Sequence, residues 1–82
     1  MELTQATEIE EIAEQIKPLL AGYEPMVKSA VLAELLSLLL AGFVVPGERK
    51  ETERLREMVL EAHCELVRAL TKVNAEALGT DQ

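Results

Sequence analysis

The chain has 82 residues, a formal net charge of -7, one cysteine and one histidine. This length suits a single small domain, and the acidic balance argues against nucleic acid as a partner because phosphate binding needs a basic surface. The lone Cys64 excludes an intrachain disulfide, and the lone His63 excludes a zinc site with two histidines from one chain. A domain this small is marginally stable unless it is reinforced, and oligomerisation is the remaining means of reinforcement.

The sequence contains no segment that predicts export or membrane insertion. The first residues, 1–4, lack the basic region and the apolar core of a signal peptide. The apolar stretch 30–45 is shorter than the roughly 20 residues that span a bilayer, and Glu34 and Ser37 interrupt it. We therefore expect a cytoplasmic protein.

The first predicted helix begins at Thr7. Residues 7–10 have the spacing of a capping box, in which a hydroxyl and a carboxylate satisfy free backbone N–H groups. The glutamates of this segment would then lie in the first turn, where the helix dipole favours negative charge. Pro18 lacks a backbone donor, which predicts a kink or a break near residues 16–17. Gly22 can end the helix in a left-handed conformation.

The second predicted helix runs from Pro25 to about Ala41, with Gly42 as its stop. Its large apolar side chains cover an arc of roughly 220°, whereas an ordinary surface helix has an apolar stripe little more than about 100° wide. The remaining arc carries small residues at four-residue spacing: Ser29, Ala33, Ser37 and Ala41. This helix is therefore expected to be central to the fold.

The third predicted helix runs from about Glu48 to Asn74, and residues from Gly79 onward look like a frayed tail. The short connection 43–47 predicts that helices two and three are antiparallel neighbours. One row of apolar residues alternates four and three positions apart, as in a left-handed coiled coil: Leu55, Val59, Ala62, Leu66, Ala69 and Val73. A second row lies on a neighbouring face: Leu60, Cys64, Val67 and Thr71.

These patterns predict an all-α fold: a single helical domain over 1–82, with 1–6 and 79–82 frayed. A long antiparallel hairpin of helices two and three carries a short N-terminal helix, and we expect the bundle to dimerise into a larger one. Helices two and three are apolar around more than half their circumference, and a short helix containing Pro18 cannot cover both. Exposing the second row of helix three would forfeit about 3–5 kcal/mol, and twofold closure is the commonest way to hide such a surface.

The dimer seam is expected on helix three, through the second row together with His63. The small-residue row of helix two is the competing seam. A monomer shielded by helix one and the 43–47 connection, and a higher oligomer, remain alternatives. Helix one can pack on its own chain or on the other chain of the dimer.

Glu34 and Arg56 form a candidate buried ion pair. Glu34 lies on an otherwise apolar helix, where an unpaired buried carboxylate would be costly. Antiparallel pairing about the 43–47 connection places it roughly opposite Arg56. Exposure at the edge of the bundle and a catalytic role for the carboxylate are the alternatives, but no nucleophile or base is expected beside it.

His63 lies where the two apolar rows of helix three meet, which indicates a hydrogen-bonded interface histidine. A ligand or metal role, shared with its symmetry mate, is the alternative. Di-iron bundles need Glu-x-x-His motifs on two helices, and position 60 is leucine. We therefore predict no metal site, no cofactor and no catalytic residue.

Several short runs of the chain resemble short, uncharacterised bacterial all-helical proteins across roughly residues 15–76. The resemblance is carried by residues 30–36 (AVLAELL), residues 40–42 (LAG), and His63 followed by Val67-Arg68 and Val73-Asn74. It implies a helical fold and roles for His63 and Arg68. Those proteins have no known activity that would carry over.

The function expected from these observations is that of a non-enzymatic interaction or regulatory module acting as a homodimer. Apolar helix surface is abundant, while no constellation of catalytic residues is readable. Two other classes remain open: a small-ligand or metal-binding bundle that uses Glu34 and His63, and an acidic phosphate mimic that inhibits a nucleic-acid-binding protein.

Overall fold

The computed structural model describes residues 3–81 and contains three helices in that range: α1 (Leu3–Leu20), α2 (Pro25–Ala41) and α3 (Arg49–Leu78). Helix accounts for 82% of the described chain, which holds no strand. The all-helical class is thus confirmed. Residues 1, 2 and 82 of the predicted frayed ends lie outside the described residues.

Helix α1 begins four residues earlier than the capping-box pattern predicts. Residues 3–6, expected to be frayed, are helical, so Thr7 lies inside the helix and the first turn carries no acidic residue. Nothing in Thr4, Gln5 or Ala6 breaks a helix, and Gln and Ala favour one. The pattern that indicates a helix start is therefore overridden by the helix-forming residues before it.

Pro18 does not break α1. The helix continues through it to Leu20, at the cost of the one backbone hydrogen bond that Pro18 cannot donate to Glu14. The next turn is already re-formed, because the Ala21 N–H donates to the Lys17 carbonyl at 3.1 Å. Of the kink or break predicted near residues 16–17, the break is wrong, since the proline lies so near the end that little helix remains to be disrupted. The kink stays a prediction.

A tight turn at residues 21–24 separates α1 from α2. Gly22 has φ +85°, the left-handed conformation predicted for it. The Tyr23 N–H donates to the Leu20 carbonyl at 3.3 Å. The chain then enters α2 at Pro25, whose missing N–H costs nothing in a first turn.

Helix α2 has the bounds predicted from the sequence. Its 17 residues correspond to about 26 Å at 1.5 Å per residue, less than the roughly 30 Å of a bilayer core. Among residues 3–81, no helix combines the length and the apolar character needed to cross a membrane.

A polar clasp fastens the connection between α2 and α3, and we use this name for Thr52 and Arg56 with their partners. Thr52 is the buried residue of α3: its Oγ1 accepts from the Val45 N–H at 2.9 Å and donates to the Val45 carbonyl at 3.3 Å. One turn later, Arg56 Nε donates to the Leu40 carbonyl (3.1 Å) and the Phe43 carbonyl (3.2 Å), and Nη2 donates to the Ala41 carbonyl (3.0 Å). A cation thus donates to carbonyls at the end of α2, where the helix dipole is negative; the Leu40 carbonyl also accepts from the Phe43 N–H at 3.1 Å.

Helix α3 begins one residue later and ends four residues later than predicted, and its end is a Schellman motif. Gly79 adopts φ +74°, its N–H donates to the Glu76 carbonyl (3.2 Å), and the Thr80 N–H donates to the Ala75 carbonyl (2.8 Å). Residue 79, expected to be frayed, is therefore the stop that fixes the end of α3.

The described chain divides into two compact units, the first ending at Glu34 and the second beginning at Leu35. In the first unit, an open cleft of about 370 Å³ lies between the end of α1 and the start of α2. Its lining is apolar: Leu19, Leu20, Tyr23, Val27 and Val31. The second unit contains the clasp and all of α3. No hydrophobic side chain of the described residues is buried in either unit.

Candidate interaction surface

Burial along α3 divides the helix into two halves. Its half-buried side chains, apart from Ala75, all lie in the segment 51–63 near the clasp. From Cys64 to Asn74 every residue is exposed, including Leu66 (51% exposed) and Val73 (61%). A helix of this length thus carries an apolar face that the second unit covers only near its beginning.

An open groove of about 380 Å³ follows the first apolar row of α3. It is lined by residues of α3 alone: Leu55, Met58, Val59, Ala62, His63 and Leu66. The four-three spacing noted in the sequence places Leu55, Val59, Ala62 and Leu66 on one face of the helix, and Met58 widens that face. His63 forms one edge of the groove and is half-buried.

The second row, predicted as the dimer seam, lies beside a different hollow. Leu60 and Cys64 line it with Arg68 and two glutamates, Glu61 and Glu65, in a volume of about 340 Å³. Leu60 is half-buried, whereas Cys64, Val67 and Thr71 are exposed. The Thr71 hydroxyl donates to the Val67 carbonyl of its own helix at 2.6 Å. Of the predicted seam, His63 alone lines the larger apolar groove.

The sequence predicts that Glu34 and Arg56 form a buried ion pair, but the Glu34 side chain is not buried. Glu34 is exposed, and the half-buried Arg56 donates to three backbone carbonyls of the clasp. Arg56 therefore anchors the end of α2 through these carbonyls, independently of any carboxylate nearby. The pairing itself stays a prediction.

The sequence predicts Arg56 as the partner of a carboxylate rather than of backbone carbonyls, and it does not identify Thr52. The signal for the clasp is weak: a Pro-Gly pair at 46–47 marks the turn, and Thr52 and Arg56 follow it one helical turn apart. A side chain four residues after another faces the same way on a helix. This spacing indicates that the two side chains contact the same part of the chain, but it does not identify the backbone groups that they bind.

Exposed ion pairs surround the start of α3. Arg49 Nε lies 3.7 Å from Glu53 Oε1, and Arg54 Nη1 lies 3.9 Å from Glu51 Oε1. Pairs this exposed contribute little stability. Arg49 and Glu53 line, with Thr52 and Arg56 of the clasp, a hollow at the start of α3 that is separate from the groove.

No three His, Cys, Asp or Glu side chains among residues 3–81 come together in a group that could hold a metal ion. Comparison with known protein families, with curated proteins and with solved structures finds no match to this chain. What the chain does must therefore be inferred from its own residues, above all from the groove of α3.

Proposed function

We propose that the chain is a non-enzymatic helical interaction module that acts as a homodimer through the apolar surface of α3. In this proposal α2 and α3 form an antiparallel hairpin, α1 completes a bundle, and two bundles join into a larger one. The single exposed thiol of Cys64 suits a reducing, cytoplasmic setting.

The observation that carries the proposal is the exposed apolar face of α3. Met58 is 61% exposed, and Leu66, Leu70 and Val73 are 51%, 48% and 61% exposed. Together they present a surface on the order of several hundred Å², the size at which an apolar patch on a small protein marks an interaction site. Each such side chain gains about 1 kcal/mol or more when the remaining area is covered.

Sedimentation equilibrium tests the homodimer directly. We expect a species of about 18 kDa, twice the 9.0 kDa of one chain, at micromolar concentration. A single 9.0 kDa species up to about 100 μM would contradict the proposal.

Two neighbouring substitutions identify which face of α3 forms the contact. Leu66→Glu places a charge in the groove, and Val67→Glu places one in the second row at similar exposure (51% and 59%). Because twofold symmetry doubles each change, the substitution in the seam should weaken dimerisation at least 100-fold. The other should change it less than about threefold.

Thermal unfolding with added Zn²⁺ separates the homodimer from a metal-binding bundle that uses Glu34 and His63. The interaction module predicts the same Tm with Zn²⁺ and with EDTA. A metal site predicts a rise in Tm that His63→Ala abolishes, because a ligand bound to the native state stabilises it. Such a rise would favour the metal-binding function.

A further inference from the structure

We infer that the groove of α3 is filled by α3 of a second copy running antiparallel, with the twofold axis passing between Leu60 and Glu61. This inference rests on the proposed homodimer and specifies its orientation and register. It moves the contact from the second row to the adjacent groove, with His63 shared by both.

The lining of the groove has the symmetry that such a contact requires. Its six residues form three pairs equidistant from one midpoint: Leu55 with Leu66, Met58 with His63, and Val59 with Ala62. In an antiparallel pair of helices, each residue meets the one at the same distance on the other side of the axis. Leu55 would thus meet Leu66 of the second copy, and the small Ala62 would leave room for Val59.

Charges along the edge of the groove favour the same midpoint. In this register Glu51 lies two positions (about 3 Å along the axis) from direct opposition with Lys72 of the second copy, and Arg54 lies two positions from direct opposition with Glu65 of the second copy. These long side chains can still reach each other, and each contact occurs twice. A shift of the pairing by seven residues in one direction sets Glu65 against its symmetry mate. A shift in the other direction sets Glu51 against Glu65. The four-three spacing permits all three registers, and the charges distinguish between them.

The area is sufficient for a specific contact. Met58, Leu66 and Val73 are each at least half exposed, and the rest of the groove adds the exposed parts of Leu55, Val59 and Ala62. Covering this face on both copies would bury an area on the order of the 1,000 Å² that a specific interface needs. A second copy accounts for this surface without another protein.

Charge exchange tests the register. Glu51→Lys and Lys72→Glu each place like charges together twice, and each should raise the dimer Kd about threefold to tenfold. The double variant should restore the wild-type Kd, because the opposite charges then meet again in exchanged positions. Within one helix the two positions are about 32 Å apart, so they have no direct effect on each other. Glu57→Lys and Lys50→Glu, on the polar face of α3, are the matched controls and should leave the Kd within about twofold.

Distances between spin labels test the orientation independently of the charge variants. A Lys50→Cys label in a Cys64→Ala background should give a Cα–Cα separation of about 35 Å in the proposed pair. A parallel pair predicts about 15 Å, and the antiparallel register shifted toward Cys64 predicts about 45 Å. Either of those distances overturns the inference.

The outcomes separate this inference from the function on which it rests. A wild-type chain that stays monomeric overturns the homodimer and the register together. A dimer whose Glu51→Lys and Lys72→Glu variants do not rescue each other, or whose labels lie at another distance, overturns the register alone. Restoration by the double variant together with a separation near 35 Å supports both.

Discussion

Two side chains near the turn hold the α2–α3 connection, and each makes a different kind of contact. Thr52 uses one hydroxyl as donor and acceptor to the same backbone residue, Val45. Arg56 spreads one planar cation over three carbonyls. Because nothing apolar is buried in the described chain, these polar contacts carry an unusual share of the local stability.

Thr52→Val keeps the shape of the side chain but removes both hydrogen bonds to Val45. We expect a loss of about 1–2 kcal/mol in the free energy of unfolding, or a Tm lower by about 5–10 °C. Thr71→Val is the matched control, since the exposed Thr71 hydroxyl donates only to its own helix. Its effect should stay within about 0.5 kcal/mol. An equal fall in Tm for the two variants would show that the hydrogen bonds of Thr52 to Val45 add no stability.

Arg56→Lys keeps the charge but loses the planar donors that reach three carbonyls at once. The unfolding free energy should fall by about 1 kcal/mol. Arg54→Lys, which changes an exposed arginine 3.9 Å from Glu51, should be neutral within about 0.5 kcal/mol. Chemical denaturation of both variants measures the difference. An unchanged free energy of unfolding for Arg56→Lys would mean that the positive charge alone anchors the end of α2.

At the scale of the elements, the sequence predicts the helices better than their ends. The bounds of α2 follow from Pro25 and Gly42, because proline at a first position and glycine after a last one act locally. The start of α1 and the end of α3 are missed by four residues each, since helix-forming neighbours extend both helices. Local signals therefore locate a helix end only where the residues beyond it cannot continue the helix.

Pro18→Ala should strengthen α1, because it restores a donor for the Glu14 carbonyl within a helix that the proline does not break. We expect a gain of about 1–3 kcal/mol in local helix stability and a more negative ellipticity at 222 nm. Gln15→Ala, at a nearby exposed position, is the control and should change little. An unchanged signal for Pro18→Ala would contradict this account of α1.

Gly79→Ala should loosen the last turn of α3, because φ +74° costs a residue with a side chain about 1 kcal/mol or more. Space is not the cause, since a Cβ at this position would meet nothing within 4 Å. Gly79→Asn should cost less, as asparagine tolerates the left-handed region. Faster amide exchange at Thr80 in the alanine variant than in the asparagine variant would check the comparison.

At the scale of the whole molecule, the sequence predicts that apolar surface is in excess but not which face carries it. The two rows of α3 have similar composition, and hydrophobic spacing alone ranks them equally. The groove is distinguished by a concavity that depends on side-chain size, with Met58 at its side and Ala62 in its middle. Patterns of apolar and polar residues do not encode that depth. The sequence favours the second row for a different reason, because that row has no partner within the predicted hairpin.

If two copies share this surface, stability must depend on concentration. The Tm of the wild-type chain should rise between 5 and 500 μM, because association stabilises the native state by mass action (about 1.4 kcal/mol per tenfold change). The Leu66→Glu variant is the control, and its Tm should be independent of concentration. A wild-type Tm that does not move over this range would count against the homodimer.

The clasp also bears on the order of events during folding. Its hydrogen bonds join residues 7 to 16 positions apart along the chain, so the loop that must close to form them is short and its entropic cost is small. Contacts this local form fast and within a single molecule. The turn between α2 and α3 should therefore assemble first, at a rate independent of how much protein is present. If two copies associate as proposed, a slower bimolecular step should follow.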